Sequence, residues 1–185
     1  AALRELVERE HVTTVLGAVT STVTLRLAPY CERYRVVLMS PSASASQLTE
    51  AGDYIFRTVP SDVLEGASMA DFARDLGLDR VAVLAVDNAY GASLARVFAE
   101  RLGASGGSVV ASLTFPEGDE TAIADAVAAL PALAPRGVYI PAYASDLATA
   151  LKLLRETRLR PIVLGASVAA PELIRAAGPA AENLV

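Results

Sequence analysis

"RVAVLAVDNAYGASLARVFAERLGASGGSVVASLTF", residues 80–115, reads as strand, helix and strand in one pass. The run "RVAVLAV" (80–86) is unbroken apolar sequence rich in β-branched valine, the composition of a strand buried on both faces. From Tyr90 to Ala104 the apolar positions fall into a helical period, and "LGASGG" supplies the glycines that stop the helix. "SVVASLTF" (108–115) returns to strand character. Two strands joined through a crossover helix make a βαβ unit, whose strands run parallel.

The same rhythm extends outward in both directions. "TTVLGAV" (13–19), "RVVLM" (35–39), "YIFRTV" (54–59), "GVYI" (137–140) and "PIVLG" (161–165) read as further strands. Helical patterns separate most of them, over residues 21–34, over "SDVLEGASMADFARDLG" (61–77), from Glu120 to Leu133 and from Ser145 to Thr157. In the 61–77 segment Val63, Ala67, Ala70, Phe72 and Ala73 fall near one helical face, and Asp62 and Glu65 are spaced like a capping box. The expected fold class is therefore α/β, with Rossmann-like parallel sheets and flanking helices. A boundary is expected near "RTVPSD" (57–62), which leaves three strands before it and four after. Three strands are few beside a mean sheet of about five to six.

Composition narrows the function classes. The 185 residues are 53% hydrophobic, ample for a sizeable core. Twenty-one acids against sixteen scattered bases give a net charge of -5, a field that repels phosphate backbones, so no nucleic-acid partner is expected. No apolar run reaches the roughly 20 residues of a bilayer span, so no membrane-spanning segment is expected. With one cysteine, Cys31, no internal disulfide can form, and its place in the 21–34 helical pattern reads as a small buried hydrophobe. The single histidine, His11, has no cysteine, aspartate or second histidine at ligand spacing, so no metal site is expected.

In an open parallel sheet ligands bind beyond the carboxyl ends of the strands, so those residues carry the chemical reading. After the first strand come Thr20, Ser21 and Thr22 at a helix start, where free backbone N–H groups favour an anion such as a carboxylate. After the second comes "SPSASASQLT" (40–49), with four serines and a threonine. Asp87, Asn88 and Tyr90 follow the 80–86 strand, Tyr143 follows "GVYI", and Ser167 follows "PIVLG". Hydroxyls and tyrosines at one edge furnish a polar, specific, unreactive pocket. Each has a plainer role: a cap for Ser21, loop filler for the serine run, a helix-start packing residue for Tyr90, a cap for Asp87. No GxGxxG, GxxxxGK[ST] or HExxH motif is present, so neither a catalytic residue nor a cofactor is indicated.

Taken in order, "VTTVLGAVTSTVTLRLAPYCERYRVVLMSPSASASQLT", "YIFRTVPSD", "VAVLAVDNAYGASLARVFAERLGASGGSVV", "VYIPAYASDLATALKLLRE" and "PIVLG" resemble the type I periplasmic solute-binding proteins of the leucine/isoleucine/valine-binding family. The resemblance covers essentially the whole chain. It implies two Rossmann-like lobes closing on a small solute, with residues 1–57 a partial first lobe and 58–185 a second lobe. It matches Ser21 to the family's carboxylate-holding hydroxyl, Ser42 and Ser44 to the loop completing that site, and Tyr90, Tyr143 and Ser167 to second-lobe pocket positions. Ser167 departs from the pattern, since amino-acid-binding relatives place an acid near there to pair the ligand's ammonium; Asp87 or Asp146 is a candidate substitute. The implied function is binding of a carboxylate-bearing solute, an amino acid or related organic acid, for delivery to an ABC transporter permease, without catalysis and outside the cytoplasm. The alternatives are a ligand-sensing domain on the same fold and a Rossmann-like enzyme. An exposed first-lobe sheet edge would also invite pairing into a homodimer.

Overall fold

The computed structural model describes residues 2–166 and 171–185. Its elements are α1 (Ala2–Glu8), β1 (Thr14–Leu16), α2 (Ser21–Tyr34), β2 (Val37–Ser40), a 3-10 turn (Ser46–Glu50), β3 (Ile55–Arg57), α3 (Asp62–Asp75), β4 (Arg80–Val86), α4 (Ala89–Ala104), β5 (Ser108–Phe115), α5 (Glu120–Leu133), β6 (Gly137–Ile140), α6 (Ala144–Glu156), β7 (Ile162–Gly165), α7 (Pro171–Ala177) and a closing 3-10 segment (Gly178–Asn183). The strands form two wholly parallel sheets, ordered β1-β2-β3 and β5-β4-β6-β7. The α/β class with parallel sheets and flanking helices is therefore the observed one. The chain divides into two compact units, Ala1–Glu65 and Gly66–Val185.

In the first unit α2 covers the sheet with Ala28 and the fully buried Cys31, packed with Leu38, Leu48 and Ile55. Burial pushes the Cys31 thiol pKa up, as suits a core residue rather than a nucleophile. Gly52 has a φ of +142°, and the space its Cβ would take is filled by Glu32, whose carboxylate accepts the Tyr54 N–H at 2.7 Å. That bond sets the entry to β3. β1 is one edge of its sheet, and its Leu16 is 80% exposed.

In the second unit every β4 side chain from Val81 to Val86 is buried, which explains the absence of polar alternation in "RVAVLAV". Helices pack on the sheet, and Phe98 of α4 stacks on Tyr139 of β6 with ring centroids 4.5 Å apart. α3 departs from the sequence reading. Its buried stripe is Gly66, Ala70 and Ala73, whereas Val63 and Phe72 are 52% and 40% exposed. The approach to α4 is too close for large side chains, since a Cβ at Gly66 would already meet the Val97 side chain at 3.0 Å. The start of α3 also differs: Ser61 Oγ accepts the Val63 N–H at 3.3 Å.

The winding of the second sheet locates its crevice. The chain passes from β4 outward to β5, then returns across β4 to β6 and continues to β7. The winding reverses between the neighbouring strands β4 and β6, and their carboxyl ends mark the topological switch point.

Candidate functional site

The first unit gathers its hydroxyls at the carboxyl ends of β1 and β2. Ser40 closes β2; its buried hydroxyl donates to the Ala18 carbonyl and accepts the Ala43 N–H at 2.9 Å. Ser21, the first residue of α2, is 2% exposed, and its Oγ accepts the N–H groups of Ser44 and Ala45 at 3.2 and 3.1 Å. Ser42 is exposed and its hydroxyl donates to the Val19 carbonyl at 2.7 Å. Arg57, on β3, completes the hold: its guanidinium donates to the Ser44 and Ala45 carbonyls at 3.2 and 2.9 Å and to Thr49 Oγ1 at 2.6 Å. Ser21, Ser42 and Ser44 thus meet in one place. The loop they share is pinned through its amides by serine oxygens and through its carbonyls by an arginine.

Ser21 is not a side-chain cap. The residue in that position is Thr20, whose side chain makes no capping bond, so Ser21 is free to tie the loop down. The first-turn N–H groups of α2 lie beyond the reach of its own carbonyls, as at any helix start.

The second unit places Tyr90 and Tyr143 on either side of its switch point, after β4 and β6. Their rings stack with centroids 5.4 Å apart and planes 10° from parallel. Asn88, rather than Asp87, caps α4, its Oδ1 accepting the Tyr90 and Gly91 N–H groups at 3.0 and 3.1 Å. The Asn88 amide nitrogen also donates to the Tyr143 hydroxyl at 3.4 Å. One asparagine therefore fixes both the helix start and the second tyrosine. Burial, together with the charges of Glu117 and Asp146, raises the Tyr143 pKa, so the phenol stays protonated.

Asp146 lies in the first turn of α6, 3% exposed, and its two carboxylate oxygens accept the Gly118 N–H at 3.2 and 3.4 Å. This bond latches the β5–α5 loop to the helix that Tyr143 starts. Burial raises the Asp146 pKa above 3.8, and the Gly118 N–H only partly offsets it. A carboxyl with a raised folded pKa contributes stability below its unfolded pKa and loses it as pH rises through the folded value. The melting temperature of Asp146→Asn relative to wild type is therefore expected to rise between pH 3 and neutral. A difference that stays flat in thermal melts over that range would contradict the assignment.

The remaining expected site residue, Ser167, lies outside the described residues. Two contributors escaped the sequence reading: Arg57 as the brace of the serine loop, and the Glu117–Gly118 turn beside Tyr143. The Arg in "YIFRTV" carried a faint signal, being a charge in an apolar strand. Glu117 carried none, because exposed turns commonly hold glutamate.

Two parallel-sheet units, with hydroxyls and stacked tyrosines at the carboxyl ends of their strands, are the architecture of a small-molecule receptor of the α/β type. The chain belongs to the periplasmic binding protein family, whose model matches residues 1–185. Among solved structures, it superposes on a leucine binding protein from Thermotoga maritima with a TM-score of 0.91 and 28% identity, covering 99% of this chain and 53% of that one. Among curated proteins, it is 36% identical over 115 residues to BasB, a chemotactic signal transduction system substrate-binding protein of Halobacterium salinarum, covering 58% of this chain and 27% of that protein. It is 29% identical over 151 residues to metabotropic glutamate receptor 4 of Rattus norvegicus, covering 79% of this chain and 17% of the receptor. The chain thus spans about half of the matched structure and a smaller share of these relatives.

Proposed function

We propose that this chain binds a small carboxylate-bearing solute, an amino acid or related organic acid, through closure of its two lobes, and delivers it to an ABC importer outside the cytoplasm without transforming it. The observation that carries the reading is the Tyr90–Tyr143 stack held by Asn88 at the switch point of the second sheet. Flat, apolar faces with polar tips at that position orient a small molecule without reacting with it. The start of α2 supports the carboxylate, since the first-turn N–H groups of a helix are donors suited to an anion. On this reading Ser21, Ser42 and Ser44 form the first-lobe side of the site and Tyr90, Tyr143 and Ser167 the second.

A ligand that binds only the folded state raises the melting temperature by mass action, by about 2.7 kcal/mol of added stability at a hundredfold excess over Kd. In a thermal-shift panel of amino acids, aromatic acids and short aliphatic acids, one class is expected to stabilise the chain, and Tyr143→Ala to abolish the shift. A panel without any shift would overturn the reading. The chemotactic and receptor relatives favour a second reading, in which the captured solute is sensed rather than imported. Deleting the gene and measuring uptake of the radiolabelled solute separates them: unchanged uptake with a lost response establishes sensing.

A further inference from the structure

Within the second unit, the side-chain amide of Asn88 can be turned only one way. Its Oδ1 accepts the Tyr90 and Gly91 N–H groups at 3.0 and 3.1 Å, and a flipped amide would set its nitrogen against those two donors. Nδ2 therefore faces Tyr143, whose hydroxyl it meets at 3.4 Å. An amide nitrogen only donates, so the phenolic oxygen accepts and its own proton turns away from Asn88. Burial and the Glu117 charge raise the Tyr143 pKa while the Asn88 bond lowers it, as a donor to that oxygen must. The stack on Tyr90, with planes 10° from parallel, holds the Tyr143 ring in place. No described residue accepts the Tyr143 proton.

We propose that Asn88 is a positioning residue that sets the hydrogen-bond polarity of the site: it makes the Tyr143 hydroxyl a donor, so the second unit selects a solute with an acceptor oxygen at that point. The proposal rests on the solute-binding reading above and deepens it, from carboxylates at large to carboxylates with a further acceptor oxygen such as a carbonyl. Asn88 acts through Tyr143 and needs no contact of its own with the solute. A solute with a methylene in that place leaves the half-buried phenol proton without a partner, which is the costly side of hydrogen-bond recognition.

Asn88→Asp separates the two jobs of this residue. Aspartate caps a helix as well as asparagine does and its charge suits a helix start, so the fold is kept, which a thermal melt verifies. Its second oxygen accepts where the amide donated, and the Tyr143 proton turns back toward it. The first readout needs no solute. The Raman doublet of the tyrosine ring reports whether the phenolic oxygen accepts or donates, and subtracting the spectrum of the matching Tyr143→Phe variant isolates this one residue. It is expected to move from accepting in wild type toward donating in Asn88→Asp. The second readout is Kd by calorimetry for three matched pairs, with the carbonyl at increasing distance from the carboxylate: pyruvate with propanoate, 4-oxopentanoate with pentanoate, and 4-acetylbenzoate with 4-ethylbenzoate. Wild-type protein is expected to bind the oxo member of at least one pair roughly fivefold to tenfold more tightly. Asn88→Asp and Tyr143→Phe should each bring that ratio close to one, and combining them should change it no further. The added charge of the aspartate repels both members of a pair alike and cancels in the ratio. An unchanged doublet in Asn88→Asp overturns the polarity assignment. A ratio that survives in Asn88→Asp, or a wild-type preference for the members without the carbonyl, overturns the role of Asn88 and leaves the solute-binding reading in place. Failure of all six compounds to bind removes the acceptor preference and this proposal with it, while the solute-binding reading is decided separately by the wider thermal-shift panel.

Discussion

Gly91→Ala is expected to destabilise the protein by about 3 kcal/mol, at the upper end of overpacking costs. A Cβ there would sit 2.1 Å from the Val86 carbonyl oxygen and 2.9 Å from a Val86 side-chain carbon. Backbone cannot step aside as a flexible side chain can. β4 is held on both sides, by β5 and by β6, while the start of α4 is tied to Asn88. Relief must come from moving the first turn of α4, which carries Tyr90 out of its stack on Tyr143. For a domain of this size the cost corresponds to a fall in Tm of roughly 6 to 12 °C. Gly103→Ala is the matched control in the same helix. Nothing lies within 4 Å of its added Cβ, so it should be neutral or slightly stabilising through helix propensity. Equal melting temperatures for the two variants would refute the steric argument.

This glycine also shows what could be read in advance. The "YG" before a helix is visible as a motif, but the contact that demands glycine arises only once α4 folds back on the end of β4. Strand positions were legible because β4 is apolar throughout and its neighbours alternate with helical periods. The buried face of α3 was misjudged because size, not hydrophobicity, decides it: Phe72 is too large for a close approach that Gly66 and Ala70 permit. Local capping was misjudged by one residue, since the sequence reading gave the cap to Asp87 and the backbone direction gives it to Asn88. The bonds that shape the site join residues far apart in sequence. Gly118 and Asp146 are 28 residues apart, and Ser21 reaches loop amides 23 and 24 positions away. No periodicity or propensity encodes such pairs. They follow from parallel strands bringing their carboxyl ends to one edge, which the fold class implies without naming partners.

Ser21→Ala tests the second of these connections, and its expected cost is about 2 to 4 kcal/mol. The substitution removes one oxygen and leaves two N–H groups, those of Ser44 and Ala45, without their acceptor. Each orphaned buried donor costs about 1–3 kcal/mol, and the hydrogen that stands in place of the hydroxyl leaves its space unfilled. Ala45 is fully buried and bears the full penalty, while the partly exposed Ser44 recruits water and bears less. The loop does not come away entirely, because Arg57 still holds the carbonyls of the same two residues. The variant should therefore fold, melt at lower temperature, and show faster hydrogen exchange at the Ser44 and Ala45 amides than wild type. Unchanged exchange at both amides would show that the serine oxygen is not their anchor. Loss of solute binding in this variant then has two separable sources, displacement of the loop that the Ser21 oxygen places and loss of a hydroxyl from the site. A direct contact to the solute is isolated by comparing the variant's residual affinities for carboxylates and their uncharged amides. Loop displacement weakens both alike, whereas loss of a carboxylate donor weakens the anion selectively.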